Sequence, residues 1–365
     1  MSTTTPTTIS IPPTLTTVPV PQPSSPQLLI RMLASALPQL VRSQAAGTHY
    51  SVADVALPYT PGIDGVGYTD DGKLVYVNLL AGSRARGGGF AEWAVVDERA
   101  VTEVRAPGSV VTAAGDGDGD GASEGDEEER MRKREVGVKV AALVNPALSS
   151  WMAMKYRANI SEFESRGKSW SVLVLGATSA SGRIAALFAR RLGAARVIGA
   201  ARDSTALERL RSRGVVDESI VLDRDNVSKT DWSALRRVEI YPLVVLDYVY
   251  GRAALALMDA LPGAASMAEE LEVRWVQVGA LGGESEIVVP GPLLRGKNLS
   301  LSGAGPGSWS MKALGGEMGG LIGAIVEGVG LEGEWREEYG VVERRLEDVG
   351  EAWADREGRT VFVEG

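Results

Sequence analysis

Seven small residues between an apolar run and a helical pattern carry the clearest chemical signal in the sequence. Val172–Leu175 is continuously apolar, which is typical of a strand buried on both faces of a parallel sheet. After position 182, apolar residues recur at helical spacing until Gly193, a typical helix end. Small residues at such a junction let a pyrophosphate approach the backbone and the helix N-terminus, where free N–H groups favour anions. The predicted cofactor-binding residues of this loop are Gly176, Ala177, Thr178, Ser179, Ala180, Ser181 and Gly182.

The spacing of this loop departs from the usual glycine pattern at one position. Ser179 stands where the middle glycine of G-x-x-G-x-x-G is expected. A second apolar strand over 196–201 closes a strand–loop–helix–strand unit of about 30 residues, which is the context that dinucleotide binding requires. The alternative is a tight strand–helix turn without a ligand. The complete unit favours a dinucleotide-binding loop.

The residue after the second strand bears on the choice of nucleotide. NAD needs an acidic side chain there, which accepts hydrogen bonds from the ribose hydroxyls. Arg202 occupies that position and cannot accept such bonds, but its guanidinium can hold a 2′-phosphate. Asp203 follows directly and leaves NAD as the alternative. The sequence therefore predicts NADPH as the cofactor.

Composition excludes several classes of function. The net charge of −9 and the lack of a basic stripe argue against nucleic acid as a partner. No apolar run reaches the roughly 18 residues of a membrane helix, and the N-terminus lacks a signal-like core, so we expect a cytoplasmic protein and no membrane partner. The chain has no cysteine and a single histidine, which exclude disulfides, thiol catalysis and cysteine-ligated zinc, and no metal is predicted.

The order of the segments predicts an α/β protein of two domains. Residues 1–26 are rich in Thr, Pro and Ser and are expected to be extended or partly disordered. Short strands with frequent turn signals follow and indicate a small β-rich barrel. Beyond position 146, strands alternate with helices, which is typical of a doubly wound parallel sheet of the Rossmann type.

An acidic, low-complexity tract interrupts this order at residues 113–135. Alternating Gly and Asp cannot bury enough apolar area to offset the entropy of ordering, so we predict a disordered insertion. The tract also matches the calcium-loop pattern D-x-D-x-D-G-x5-E from Asp116 to Glu127. Because no amphipathic helix precedes Asp116, the sequence favours the solvated insertion over calcium binding.

Five stretches resemble the zinc-free, quinone oxidoreductase-like branch of the medium-chain dehydrogenase/reductase superfamily. They are ASALPQLVRSQAAGTHY (34–50), LPYTPGIDGVG (57–67), NPALSSWMAM (145–154), VLGATSASG (174–182) and LEDVGEAWADREGRTVFV (346–363). A nucleotide loop in the middle of the chain also resembles this family, and the absence of cysteine fits its zinc-free branch.

The resemblance implies an architecture and an activity. Residues 27–145 and 310–365 would form a GroES-like catalytic domain, and residues 146–309 a Rossmann domain. The family binds NADPH in the cleft between these domains and transfers hydride to a quinone or an α,β-unsaturated carbonyl, so the expected partner is a small electrophilic substrate. The alternatives are a non-catalytic NADPH-binding sensor or partner protein, and an enoyl reductase acting in trans in a biosynthetic pathway. A homodimer is a further expectation.

The resemblance also places residues at the reacting end of the cofactor. Ser149 or Ser150 falls where the family has a threonine beside the nicotinamide, and Val278-Gly279 falls at the strand end beside it. The family's G-x-Y element corresponds to Gly47–Tyr50, so His49 and Tyr50 are the predicted catalytic hydrogen-bond donors. Pro38 stands where the family often has asparagine, which removes one possible substrate contact.

Four other residues are predicted near the ligands from their place in the sequence. Tyr248 follows a predicted strand, at the carboxyl edge where ligands of such sheets bind, and is expected beside the nicotinamide. Tyr59, in a turn-rich segment, and Gly305 and Trp309, in a second glycine-rich loop, are expected to line the substrate pocket.

Overall fold

The computed structural model divides the chain into two compact units. The first comprises residues 1–145 and 315–365, and the second comprises residues 146–314. The sequence predicts domain boundaries at 146 and 309, and the second compact unit runs from 146 to 314. The structure describes residues 13–47, 58–79, 88–105, 124–263, 271–284, 286–328, 335–355 and 358–364.

Seven strands in the described part of the first unit form one sheet. The strands are β1 (Gln27–Ala36), β2 (Asp64–Tyr68), β3 (Leu74–Asn78), β4 (Trp93–Asp97), β5 (Val101–Glu103), β12 (Val341–Arg344) and β13 (Arg359–Val363). Their order across the sheet is β12-β13-β1-β2-β3-β5, and β4 pairs with β1 beside this path. Residues 13–26 carry no helix or strand.

This sheet joins two distant parts of the chain. β1 pairs antiparallel with β13, so that Ala34 lies opposite Val363. One buried cluster packs Leu37, Phe90 and Trp353 together, and Phe90 meets the ring of Phe362 edge-on with centroids 4.9 Å apart. The helices described in this unit are α1 (Gln39–Ala45), most of α2 (Glu124–Met152) and of α8 (Met311–Val326), α9 (Trp335–Glu338) and α10 (Val349–Ala354).

The expectation of disorder over 113–135 is wrong for residues 124–135, which form the first turns of α2. Glu, Arg, Lys and Met are strong helix formers, and the acidic residues stand at the positive end of the helix dipole. Glu129 pairs with Lys133 one turn later at 2.8 Å. The buried part of α2, from Val136, supplies the nucleus, so these turns extend an existing helix. Residues 113–123 lie outside the described part of the chain.

A proline stands inside α2, at the first position of the second unit. Pro146 has no N–H to donate to the carbonyl of Ala142, one turn earlier. The Arg359 guanidinium donates to that carbonyl at 3.4 Å. The lost helical bond is therefore replaced by a side chain from β13, and the helix continues to Met152. A π-helical turn, Ala153–Arg157, follows.

In the described part of the second unit, six strands form a parallel sheet. They are β6 (Ser171–Leu175), β7 (Arg196–Ala201), β8 (Glu218–Val221), β9 (Leu243–Asp247), β10 (Val273–Gln277) and β11 (Leu299–Gly303). The order across the sheet is β11-β10-β9-β6-β7-β8. This is the strand order of a Rossmann sheet, with the first strand in the centre, so a Rossmann-type α/β fold is confirmed. Besides the end of α2 and the start of α8, the helices described in this unit are α3 (Ile160–Ser165), α4 (Ala180–Arg191), α5 (Ser204–Ser212), α6 (Gly251–Ala260) and α7 (Gly291–Arg295).

One described helical stretch, Gly125–Arg157, has the length and composition of a membrane span. In the protein, 78% of its most apolar window is buried, as in a core helix. Length and composition alone are therefore weak evidence for a membrane helix here.

Candidate functional site

The predicted cofactor loop lies at the carboxyl end of β6, a central strand of the parallel sheet. All five residues of β6 are buried, with β7 on one side and β9 on the other. Gly176 ends the strand with a φ of 97°, which favours glycine, and its N–H donates to the carbonyl of Ala200 at 2.8 Å. The chain thus turns sharply from the strand into α4.

Gly182 is needed because the loop and helix approach too closely for a side chain. A Cβ on Gly182 would lie 2.2 Å from the carbonyl oxygen of Gly176 and 2.9 Å from the Cα of Ala177. Both are backbone atoms that cannot move aside. Gly176 and Gly182 therefore keep the spacing that the sequence predicted, for a reason of close packing as well as ligand approach.

Ser179 replaces the middle glycine and caps the helix. Its Oγ accepts a hydrogen bond from the N–H of Gly182 at 3.0 Å and donates to the carbonyl of Gly176 at 2.8 Å. The N–H groups of Ala180 and Ser181, at the first helical positions, have no partner within the helix. Residues 178–181 are half-buried, so these N–H groups can receive an anion such as a pyrophosphate.

The two residues after β7 have separate roles. Asp203 accepts a hydrogen bond from the N–H of Ala206 at 2.9 Å and thereby caps α5. Because its carboxylate already caps α5, Asp203 is less available to accept hydrogen bonds from the ribose hydroxyls of NAD. Arg202 is exposed, one residue beyond the strand that neighbours the cofactor loop. Its charge is available to a 2′-phosphate.

Tyr248 lies beside the cofactor loop and near both predicted serines. Its Cβ lies 3.2 Å from where a Cβ on Gly176 would stand. Burial raises the pKa of Tyr248 to about 12, and the hydroxyls of Ser149 and Ser150 partly oppose this. The hydroxyl of each serine donates a hydrogen bond to a helix carbonyl. No described group makes a well-aligned hydrogen bond with the tyrosine hydroxyl. Tyr248 is therefore a neutral, buried donor without a settled partner.

Val278 and Gly279 directly follow β10 and lie at the same carboxyl edge of the parallel sheet. Their N–H groups donate to the carbonyl of Asp247 at 2.7 and 3.1 Å. A Cβ on Gly279 would lie 3.2 Å from the carbonyl oxygen of Tyr248. The structure thus brings the ends of β6, β9 and β10 together, with the two serines adjacent.

Asp247, the last residue of β9, is not among the residues that the sequence predicts for the site, although it lies at the same edge of the sheet. The residue is fully buried, and burial raises the pKa of its carboxyl to about 6, with hydrogen bonds from Tyr250, Val249 and Trp275 opposing the shift. A lone acidic residue at the end of an apolar run was the available signal. Its partners in β10 could not be read from local sequence.

The predicted pocket residues are divided between the two units. Gly305 begins a turn that Ser308 closes, with the Ser308 Oγ accepting from the N–H of Gly305 at 2.9 Å. Trp309 follows and is half-buried. Tyr59, in the first unit, is also half-buried. The predicted catalytic residues His49 and Tyr50 lie outside the described residues.

The residues of the second unit fit NADPH. In the backbone cradle formed by residues 176–182, a Cβ on Gly176 or Gly182 would lie 3.1 Å or less from another protein atom, so both positions need glycine, as in other dinucleotide-binding loops. The Tyr248 hydroxyl is a buried donor, and Arg202 is an exposed cation that directly follows β7. Within the described ranges, no group of three or more His, Cys, Asp or Glu side chains could hold a metal ion.

Known proteins resemble this chain in sequence and in fold. No family model matches the sequence. The "Probable NADPH-dependent quinone reductase tdiC" of Emericella nidulans is 33% identical over 369 residues, and the match covers 96% of each chain.

Solved structures of similar fold include a mycobacterial quinone oxidoreductase, with 18% identity, a TM-score of 0.65, and coverage of 96% of this chain and 94% of the other. The quinone oxidoreductase of Thermus thermophilus gives 18% identity, a TM-score of 0.58, and coverage of 96% and 95%. These structures share the fold, and the relative in Emericella nidulans is similar in sequence along almost its whole length. The chain therefore belongs to the quinone oxidoreductase family of the medium-chain dehydrogenase/reductase superfamily.

Proposed function

We propose that this protein is an NADPH-dependent oxidoreductase that reduces a quinone without a metal ion. The observation that carries the proposal is the cofactor loop Gly176–Gly182 beside an exposed Arg202, in a chain 33% identical to a named NADPH-dependent quinone reductase. The name of that relative favours a quinone over other activated double bonds as the substrate.

The residues of the second unit divide the work of holding the cofactor. The N–H groups of Ala180 and Ser181 receive the pyrophosphate, and Arg202 binds the 2′-phosphate. The carboxyl edge formed by Tyr248 and Gly279 takes the nicotinamide. NADPH, when bound, supplies the hydride.

The hydroxyls near the nicotinamide position have a defined proton state. Because its pKa is about 12, Tyr248 stays protonated at neutral pH and acts as a hydrogen-bond donor. Ser149 and Ser150 already donate to the carbonyls of Pro146 and Ala147, so each presents an acceptor lone pair. This combination suits an amide, which has both an acceptor oxygen and donor N–H groups.

The substrate side of the proposal depends on His49, Tyr50, Tyr59, Gly305 and Trp309. We propose His49 and Tyr50 as the donors that stabilise the oxyanion formed as hydride arrives, and the other three as pocket residues. Tyr50→Phe should lower kcat for the quinone and leave the Kd for NADPH unchanged. A Tyr50→Phe variant with unchanged kcat would remove Tyr50 from this role.

Cofactor choice is tested by titrating the protein with NADPH and NADH and following nicotinamide fluorescence. Wild-type protein should bind NADPH more tightly. Arg202→Ala should weaken NADPH binding by about tenfold or more and leave NADH binding unchanged, since only NADPH carries the 2′-phosphate. Equal affinity of wild-type protein for both nucleotides would remove the role of Arg202.

A homodimeric assembly and a cytoplasmic location are also part of this proposal. β11 is an edge of the parallel sheet without a charged residue, and Leu301 on it is 43% exposed. The other edge, β8, carries Glu218, paired with Arg196. Because uncharged edges favour strand pairing, we propose a homodimer formed through β11 of two copies. Light scattering of Leu301→Lys should then report a monomer.

A cytoplasmic location stays a prediction, checked by imaging a tagged protein.

A further inference from the structure

Asp247 fastens two neighbouring loops at the carboxyl edge of the parallel sheet. Its Oδ1 accepts hydrogen bonds from the N–H groups of Val249 at 3.0 Å and Tyr250 at 2.7 Å. Its Oδ2 accepts one from Nε1 of Trp275, in β10, at 3.2 Å. The main-chain carbonyl of the same residue holds Val278 and Gly279. The fully buried carboxylate thus links the loop after β9 to strand β10, and the main-chain carbonyl of the same residue links β9 to the loop after β10.

The loop that the carboxylate holds has a conformation that must be imposed. Tyr250 has φ 59° and ψ −166°, a backbone conformation that residues other than glycine rarely adopt. The N–H of Tyr250 makes the shortest of the three hydrogen bonds to the Asp247 side chain. The carboxylate therefore acts directly on the strained residue.

The held loop forms one wall of the cofactor cradle. A Cβ on Gly176 would lie 3.1 Å from Cγ2 of Val249 and 3.2 Å from Cβ of Tyr248. A small shift of residues 248–250 would close the space above Gly176 or turn the Tyr248 hydroxyl away. Cofactor affinity should then depend on a side chain that lies beneath the loop.

We propose that Asp247 is a positioning residue for the cofactor, which holds residues 248–250 in the shape that NADPH binding requires. This inference rests on the proposed NADPH binding. Asp247 itself is buried beneath the loop and acts through the residues that it fastens. It is distinct from the phosphate-binding positions Ala180, Ser181 and Arg202.

Affinity should also depend on pH in a defined direction. The groups facing the carboxyl are the N–H groups of Val249 and Tyr250 and the Trp275 indole, all of which donate. Since burial raises the pKa of Asp247 to about 6, protonation below that pH turns an acceptor oxygen into a donor that opposes these groups. NADPH affinity should fall as pH drops from about 7 to about 5.

The test compares Asp247→Asn, Trp275→Phe, the double variant and a matched control. In Asp247→Asn, Oδ1 still accepts from the loop, but the amide N–H₂ faces the Trp275 donor. We expect a rise of roughly tenfold in the Kd for NADPH and loss of the pH dependence. Removing the opposing donor in the double variant should restore the Kd to within about threefold. Asp259→Asn, on the exposed part of α6, should match wild-type protein.

Hydrogen exchange of residues 248–251 without nucleotide supplies a readout that is independent of binding. Asp247→Asn should speed exchange there, and the double variant should slow it again. Faster exchange with an unchanged Kd and pH profile would overturn the positioning role and leave a structural one. If wild-type protein binds no NADPH, the proposed function fails and this inference falls with it, whatever the exchange shows.

Discussion

Gly182 is the residue at which a single added carbon should most clearly disturb the cofactor loop. Gly182→Ala places a Cβ 2.2 Å from a backbone oxygen. We expect a loss of stability of about 1–3 kcal/mol and a fall in NADPH affinity of at least roughly tenfold, because helix and loop must separate. Thermal melting and fluorescence titration measure the two effects.

The matched control for this variant is Gly319→Ala, in the middle of α8. Gly319 is exposed, and nothing lies within 4 Å of where its Cβ would stand. This change should raise stability by up to about 1 kcal/mol through helix propensity and leave NADPH binding unchanged. Equal effects of the two substitutions would show that Gly182 is not sterically required.

Asp64 should make the first unit's stability depend on pH. Burial raises the pKa of this carboxyl to about 7, while a hydrogen bond from Tyr76 at 3.0 Å and the charge of Arg359 oppose the shift. The folded state then holds a proton that the unfolded state releases above its ordinary pKa of 3.8. The contribution of Asp64 to the free energy of unfolding should therefore be largest below about pH 4. It should fall by roughly 4 kcal/mol at most as pH rises through about 7.

Asp64→Asn isolates this effect, since the amide oxygen still accepts from Tyr76 but does not titrate. Melting temperatures of both proteins, measured from about pH 4 to about pH 8, should diverge. The variant should lack this fall and become the more stable protein above about pH 7. Parallel curves for the two proteins would refute a raised pKa for Asp64.

Single residues differed in how far the sequence could predict them. The steric need for glycine at Gly176 and Gly182 was predictable because it follows from spacing within one strand–helix–strand unit; the role of Arg202, read from the same unit, stays a prediction. Asp247 was not, because its role depends on a hydrogen bond to Trp275, which stands 28 positions away on a neighbouring strand. The strained backbone of Tyr250 likewise has no signal in the sequence.

At the scale of elements, Arg42 fastens α1 to the end of α10. Its guanidinium donates to the carbonyls of Ala352 at 3.2 Å and Asp355 at 2.8 Å, and also to that of Trp353, while lying 5.8 Å from the Trp353 ring centroid. Arg42 is buried, so its removal leaves the last carbonyls of the helix without these donors.

Arg42→Met should therefore destabilise the protein by about 3 kcal/mol, measured as a lower urea midpoint. Arg99→Met is the control, since that side chain is 88% exposed, and it should change stability by no more than about 0.5 kcal/mol. A similar midpoint for both variants would show that Arg42 does not hold α10.

The first turns of α2 show why composition misled the prediction of disorder. Low apolar content predicts disorder over these residues, but Glu135 receives hydrogen bonds from Arg336 at 2.6 and 2.7 Å and from the Trp335 indole at 3.0 Å. These partners lie 200 and 201 positions away. A charged helix can thus be fixed by distant ionic contacts that local composition does not reveal.

At the scale of the whole molecule, the two-unit order was predictable. Strand–helix alternation over most of residues 146–314 specifies a parallel sheet, and short strands with turn residues specify a separate β-rich unit. The return of the C-terminal segment to the first unit followed only from family resemblance. Its physical basis is the pairing of β1 with β13, and pairing between strands so far apart in the chain has no local signature.

The most direct test of the central claim is anaerobic mixing of the NADPH-loaded protein with a small panel of quinones, followed by the absorbance of the reduced nicotinamide. Cofactor oxidation and hydroquinone formation in a one-to-one ratio, faster with NADPH than with NADH and slowed in Arg202→Ala, is the result that we predict. Tight NADPH binding without oxidation by any quinone of the panel would contradict the account and favour a nucleotide-binding sensor or partner protein.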